Sequence, residues 1–191
     1  KLYIRTFAYS EEEYKSTVGC IKHIKSDKVI LMMKETPHDF FLTHPDNPYI
    51  RKMNRPTIVE FDSGNEYSGQ GVVANTWPEY TMKRWGSYIN CPNVTGYVAR
   101  TDRYGDTSIV GTANEIQLYA LKRMTEEQTV SPMQIYNEFI TSRYGEDALL
   151  PIRKAFQNAY DIVTSVFYTL GTNLTDHSSL NYENNKWGYS R

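Results

Sequence analysis

Four short runs of β-favouring, largely apolar residues punctuate the first half of the chain: 2–8 (LYIRTFA), 29–33 (VILMM), 57–61 (TIVEF) and 94–99 (VTGYVA). Each has strand length and gives way to polar sequence rich in turn residues. Between the first two runs, Ser10 stands before Glu11, Glu12 and Glu13, an N-cap followed by acids where the helix dipole favours them. Tyr14, Val18, Ile21 and Ile24 then recur at helical spacing. Strand, helix and strand thus fit within about thirty residues, which predicts a βαβ unit and a parallel sheet.

The polar segments are equally informative. After the second run the chain is broken by Pro45, Pro48 and Pro56, and after the third, residues 62–71 hold three glycines. Both stretches read as loops. A helix is expected over 73–88, with Pro78 in its first turns or kinking it. From Ala113 the periodicity is wholly helical: 113–124, then 131–144 with Ser131 as cap and Pro132 in first position, then 146–170 with Gly171 as its stop. Residues 172–191 show no period. The expected organisation is therefore βα units over 1–112 that carry the site, a helical segment over 113–171 packed on them, and an irregular tail. The fold class is α/β: about four parallel strands, the carboxyl half of a (β/α)8 barrel, or else a small open sheet. Four parallel strands cannot close a barrel, so the half-barrel reading requires strands from sequence outside this chain or from a second chain.

Charge and composition narrow the partners. The 21 basic and 22 acidic residues leave a formal charge of −1, with no long basic run to recommend a nucleic acid. No run approaches the ~18 apolar residues of a membrane span. Residues 1–9 read as a strand rather than a leader, and a chain that opens on a core-type strand reads as an internal piece of a longer one. Cys20 and Cys91 are expected as free thiols. Aromatics make up 14%, with 16 Tyr and 3 Trp. Such residues suit a carbohydrate site, though for most of the tyrosines a place at the core boundary is the simpler account.

The candidate chemistry follows the second and third strands. Lys34 and Asp39 lie beyond one, Asp62 and Glu66 beyond the other. Carboxylates at neighbouring strand ends with a lysine beside them suit acid/base work on a polar substrate. Glu60, alternating within its strand, reads as an interior or ion-pairing residue. His38, Asp39, His44 and Asp46 have no spacing typical of a tight metal site. Arg100, Asp102 and Arg103 read equally as substrate contacts or as a solvated loop. Asn93 and Asn173 open sequons by pattern only.

The segment K-x-x-P-x-D-F at 34–40, followed by E-F-x-x-x-x-E-Y-x-G-Q at 60–70, resembles the family-67 α-glucuronidases of xylan breakdown. The first strand, LYIRTFAY, and the run NEIQLYALKRM from Asn114 are also similar to that family, so the likeness spans residues 2–144 in patches. It implies a (β/α)8 glycoside hydrolase acting with inversion on a uronic-acid-bearing oligo- or polysaccharide, with no cofactor and no metal. It also implies a periplasmic or secreted setting, if the chain belongs to a bacterial polysaccharide-degrading system. Asp39 and Glu66 match the two carboxylates that act on the hydrolytic water. Lys34 and Arg5 match the cations that take the sugar carboxylate, and Asn65, Tyr67 and Arg103 join them as expected substrate contacts. Two departures stand out. Nothing here corresponds to the family's general acid, and the four residues before Glu66 are DSGN in place of QITQ. A glycan-binding protein without turnover, and a complete small α/β enzyme using the same carboxylates, are the alternatives.

Overall fold

The central strands owe their place to composition. Val29–Lys34 (β2) is buried along nearly its whole length, and Thr57–Asp62 (β3) beside it is equally enclosed. Continuous apolar runs of this kind belong inside a parallel sheet covered on its faces. Leu2–Arg5 (β1) and Val94–Arg100 (β4) flank them, giving one four-stranded sheet in the order β1-β2-β3-β4, every pairing parallel. Edge position shows at β1, where Leu2 and Tyr3 are 59% and 53% exposed. The structure is a computed structural model and describes residues 1–6, 10–102 and 108–168.

Register then sorts the side chains by face. Leu31, Met33, Val59 and Phe61 alternate along β2 and β3 and share one core cluster. Against them pack Ile21 of helix α1 (Glu11–Lys22), Trp85 of α2 (Pro78–Gly86) and Leu121 of α3 (Ile116–Glu126). Side chains alternate with period two, so the opposite face takes the intervening positions. There Arg5 pairs in register with Met32, Lys34 with Glu60 and Asp62 with Arg100. That face therefore turns from apolar to charged toward the carboxyl ends of the strands. β4 carries an irregularity at its start: Thr57 pairs with Val94 and Ile58 with Gly96, leaving Thr95 extra.

Two further clusters seat the remaining helices. Met82, Ile116, Ile135 and Phe139 join α2 and α3 to α4 (Pro132–Tyr144). Leu42 and Trp77 receive Ala159 and Val163 of α6 (Ala159–Phe167), which follows α5 (Leu149–Gln157). Ser10 caps α1 through Glu13 N, and Ser131 with Gln134 forms a reciprocal capping box on α4.

Four expectations change. The helix expected over 73–88 begins only at Pro78. A proline is best placed in a first turn and biases its predecessor away from helix, and Trp77 is indeed non-helical at φ −123°, ψ 71°. The helix expected from 113 opens with a 3-10 turn, Ala113–Glu115, and runs to Glu126. The single helix expected over 146–170 is three pieces: a 3-10 turn Glu146–Ala148, α5 and α6. At its last break the Asn158 side chain takes the Lys154 carbonyl, competing with the helix backbone. β1 ends at Arg5, although the Thr6 N–H still donates to the Met32 carbonyl; residues 7 and 8 of that expected strand, Gly171 and the tail lie outside the described residues. Cys20 and Cys91 are free, and no described helix is long and apolar enough to cross a membrane.

Candidate functional site

Two loops leave the carboxyl ends of β2 and β3, and each is tied down by amide side chains. In the first, Asn47 Nδ2 donates to the Lys34 and Thr36 carbonyls while its Oδ1 accepts from Tyr49 N–H. The buried Tyr88 hydroxyl adds a donation to the Glu35 carbonyl and accepts from Asn47 N–H at 2.6 Å. The loop from 35 to 47 is thereby closed at its base, and its outer part carries Asp39 and Phe40.

The second loop turns on Asn65, which sits at φ 57°. Asparagine tolerates this left-handed region better than most residues. The Asn65 carbonyl accepts from both Ser68 N–H and Gln70 N–H, and Glu66 N–H donates to Asp62 Oδ2 at 2.8 Å. Gln117, at the start of α3, donates to Asn65 Oδ1 and to the Asn75 carbonyl. Asn114 Oδ1 accepts from Asn75 N–H, and its Nδ2 donates to the Val73 carbonyl. Finally the Tyr168 hydroxyl, just past α6, donates to the Tyr67 carbonyl and accepts from Leu42 N–H, so one residue spans both loops.

These loops place two acid–base pairs around one ring. Lys34 Nζ lies 2.7 Å from Asp39 Oδ1, with side chains only 8% and 13% exposed. Arg100 Nη1 lies 2.9 Å from Glu66 Oε2, and the same guanidinium grips Asp102. Lys34 Nζ stands 5.1 Å and the Arg100 guanidinium 5.3 Å from the centre of the Phe40 ring, so the two cations lie within about 10 Å of each other. The Lys34–Asp39 pair is thus an enclosed one rather than an ordinary surface pair.

The electrostatics follow from enclosure. Burial works to raise the Asp39 carboxyl, but the Lys34 ammonium, its hydrogen bond and the Tyr67 hydroxyl outweigh it and hold the group below its ordinary value. Burial is the larger influence on Lys34 and lowers it despite Asp39. His44 is pushed down to about 4, chiefly by burial, with its Nδ1 2.8 Å from the Asp39 carbonyl. Glu35 and Asp62 show the reverse: burial raises both carboxyls to about 7. Asp39 is therefore an ionised acceptor at neutral pH, held beside a cation, and is a weaker base for as long as Lys34 pairs with it.

Of the residues expected from sequence, Lys34, Asp39, Glu66 and Tyr67 come together here. Arg5 reaches over β2 to Glu60, donating to both carboxylate oxygens at 3.0 and 2.8 Å, which makes Glu60 an ion-pairing residue. Asn65 is turned inward, between Gln117 and the Ser63 carbonyl. Arg103 lies outside the described residues. His38 and His44 both approach Asp39, at 3.7 Å from its carboxylate and 2.8 Å from its carbonyl, but Asp46 pairs instead with Arg84, and the described residues hold no group of three or more His, Cys, Asp or Glu placed for a metal ion. Sequence reasoning missed Phe40 as the shared ring, Glu35 and Asp62 as buried acids, and Arg100 as the partner of Glu66. Only the NEIQ run at 114–117 carried a signal for its members Asn114 and Gln117.

Neither a scan against models of known protein families nor a search of curated proteins matches this chain.

Proposed function

We propose that the chain carries the water-activating part of a carbohydrate-active glycoside hydrolase of the α-glucuronidase type. The observation that supports it best is the meeting of two cation–carboxylate pairs around Phe40 at the carboxyl edge of the sheet. In this reading Asp39 and Glu66 address one water, the first accepting its proton while the second orients it. The water attacks the anomeric carbon opposite the leaving oxygen, which gives inversion. Lys34 is drawn from Asp39 toward a sugar carboxylate, Arg100 balances Glu66, and Arg5 and Tyr67 line the approach. The parallel order of the strands, with α1, α2 and α3 on one face and the charged residues on the other, is compatible with half of a (β/α)8 barrel. The general acid and the remaining strands would then come from further sequence or a second chain.

The full internal pairing of both carboxylates favours one second reading, a glycan-binding protein that lacks turnover. The test compares a glucuronate-capped xylo-oligosaccharide with its glucose-capped counterpart, by calorimetry and by product release. Preference for the uronate by tenfold or more, abolished in Lys34→Met, supports the assignment. Uronate binding without product release, even with the rest of a barrel supplied, selects the binding protein. Equal treatment of both sugars, or none of either, overturns both readings.

A further inference from the structure

Beneath the two pairs lies a second set of acids that the reaction above does not use. Asp62 ends β3 and Glu35 follows β2, and both line one cavity of about 20 Å³, room for a single water. Each presents to its surroundings a buried oxygen without a hydrogen-bond partner, Asp62 Oδ1 and Glu35 Oε2. A buried acceptor left unsatisfied is costly. One water with two hydrogens answers both.

The other oxygen of Asp62 is already committed. It accepts the Glu66 N–H at 2.8 Å, the bond that closes the turn from β3 to the proposed water-activating carboxylate. We propose that Asp62 is a positioning residue, holding the Glu66 backbone with one carboxyl oxygen and sharing, with the other, a buried water and a proton with Glu35. This rests on the glycosidase reading only for its kinetic consequence. The surrounding charges are compatible with one shared proton. Around Asp62 stand Arg100, Glu66 and Asp102, with the guanidinium drawn into pairs with the latter two. Around Glu35 stand Arg84, Asp46, Tyr80 and Tyr88, and Arg84 comes no closer than 3.7 Å while binding Asp46 at 3.0 Å. Burial raises both carboxyls to about 7, and the Asp62 charge adds to the rise at Glu35. Losing the proton would set two anions about one water, beside the Glu66 that has to face substrate.

Two measurements that need no turnover decide the structural half. Infrared difference spectra of the whole protein across a pH series should show the carbonyl stretch of one protonated, buried carboxyl fading near pH 7. In Asp62→Asn, and separately in Glu35→Gln, the surviving carboxyl should lose its proton about one unit lower or more, because the like charge has gone. Amide exchange at Glu66 should quicken at least tenfold in Asp62→Ala and stay near wild type in Asp62→Asn, which keeps an acceptor oxygen. Where hydrolysis is measured, Asp62→Ala should lower kcat about tenfold or more with KM little changed, and Asp62→Asn should recover most of it at neutral pH. Absence of the infrared band in wild type, or equal exchange at Glu66 in the Ala and Asn variants, overturns the proposal whether or not the protein hydrolyses a glycan. Absence of hydrolysis with the rest of the barrel supplied, and with the band and exchange as expected, overturns the glycosidase reading alone.

Discussion

Removing the Asn47 side chain should unfasten the loop that carries Asp39. In Asn47→Ala three hydrogen bonds disappear at once: Nδ2 to the Lys34 carbonyl at 2.9 Å, Nδ2 to the Thr36 carbonyl at 3.2 Å, and Tyr49 N–H to Oδ1 at 3.0 Å. The residue is only 6% exposed, so water does not readily replace them. At about 1 kcal/mol net for each bond, the loss comes to about 3 kcal/mol, a large fraction of the stability of a small domain. Asn47→Asp should cost more, since it keeps the acceptor for Tyr49 but sets a carboxylate against two carbonyls. Urea unfolding followed by far-UV circular dichroism is the assay. With a slope of roughly 2 kcal/mol per molar, the midpoint should fall by about 1.5 M in the alanine variant. Amide exchange over residues 34–49 should quicken more than over α4, which lies in another cluster. A loss below about 1 kcal/mol, or an Asp variant as stable as wild type, would show that the loop is not held at its base in this way.

The remaining predictions concern charge and capping. Glu35 and Asp62, raised from 4.5 and 3.8 to about 7, hold their shared proton in the folded state where both are ionised unfolded, so the pair makes stability fall as pH rises through that window. His44, lowered from 6.5 to about 4, acts with the opposite sign over much of the same range and offsets much of that fall. The pair's share of the fall from pH ~4.5 to ~7 should be on the order of 3 kcal/mol, and Glu35→Gln should remove most of it in urea titrations at stepped pH; an unchanged slope in that variant would refute the burial argument. Asp39, held below its ordinary value, contributes stability that is lost as pH falls through its folded value, so Asp39→Asn should shrink the acid limb of the same titration. Lys34→Met should cost about 3 kcal/mol by stranding Asp39, and adding Asp39→Leu should restore most of it; additive losses in that cycle would mean the two groups are not coupled. Ser131→Ala removes the capping box of α4 and should lower stability by about 1 kcal/mol without touching glycan binding, read from the urea midpoint and calorimetry.

Some of this molecule is legible from the order of residues alone. The strands at 29–33 and 57–61 appear within a residue of their expected ends, because an apolar run between turn-forming segments has little choice of conformation once buried. Caps at Ser10 and Ser131 are local chemistry and read directly. So does the parallel pairing of β1 with β2, since a helix between two strands leaves few other connections. Where local preferences compete, sequence is a weaker guide. Pro78 sits inside an apolar pattern that continues on both sides, and only the conformation of Trp77 decides that the helix starts there.

The site divides along the same line. Residue types and their position after strand ends pick out Lys34, Asp39 and Glu66, because polar groups at the carboxyl edge of a buried sheet have no packing role to explain them. Their partners come from far along the chain. Arg100 reaches Glu66 across 34 positions, Arg5 reaches Glu60 across 55, and Tyr168 reaches Tyr67 across 101. No periodicity encodes such pairs. They arise from strand register, which sets Asp62 opposite Arg100 and Lys34 opposite Glu60, and from α6 folding back on both loops. Glu35 shows the limit most plainly. In sequence it is one more charge after a strand, and its burial beside Asp62 exists only once β3 and α2 have packed around it, since desolvation is a property of everything packed around a group.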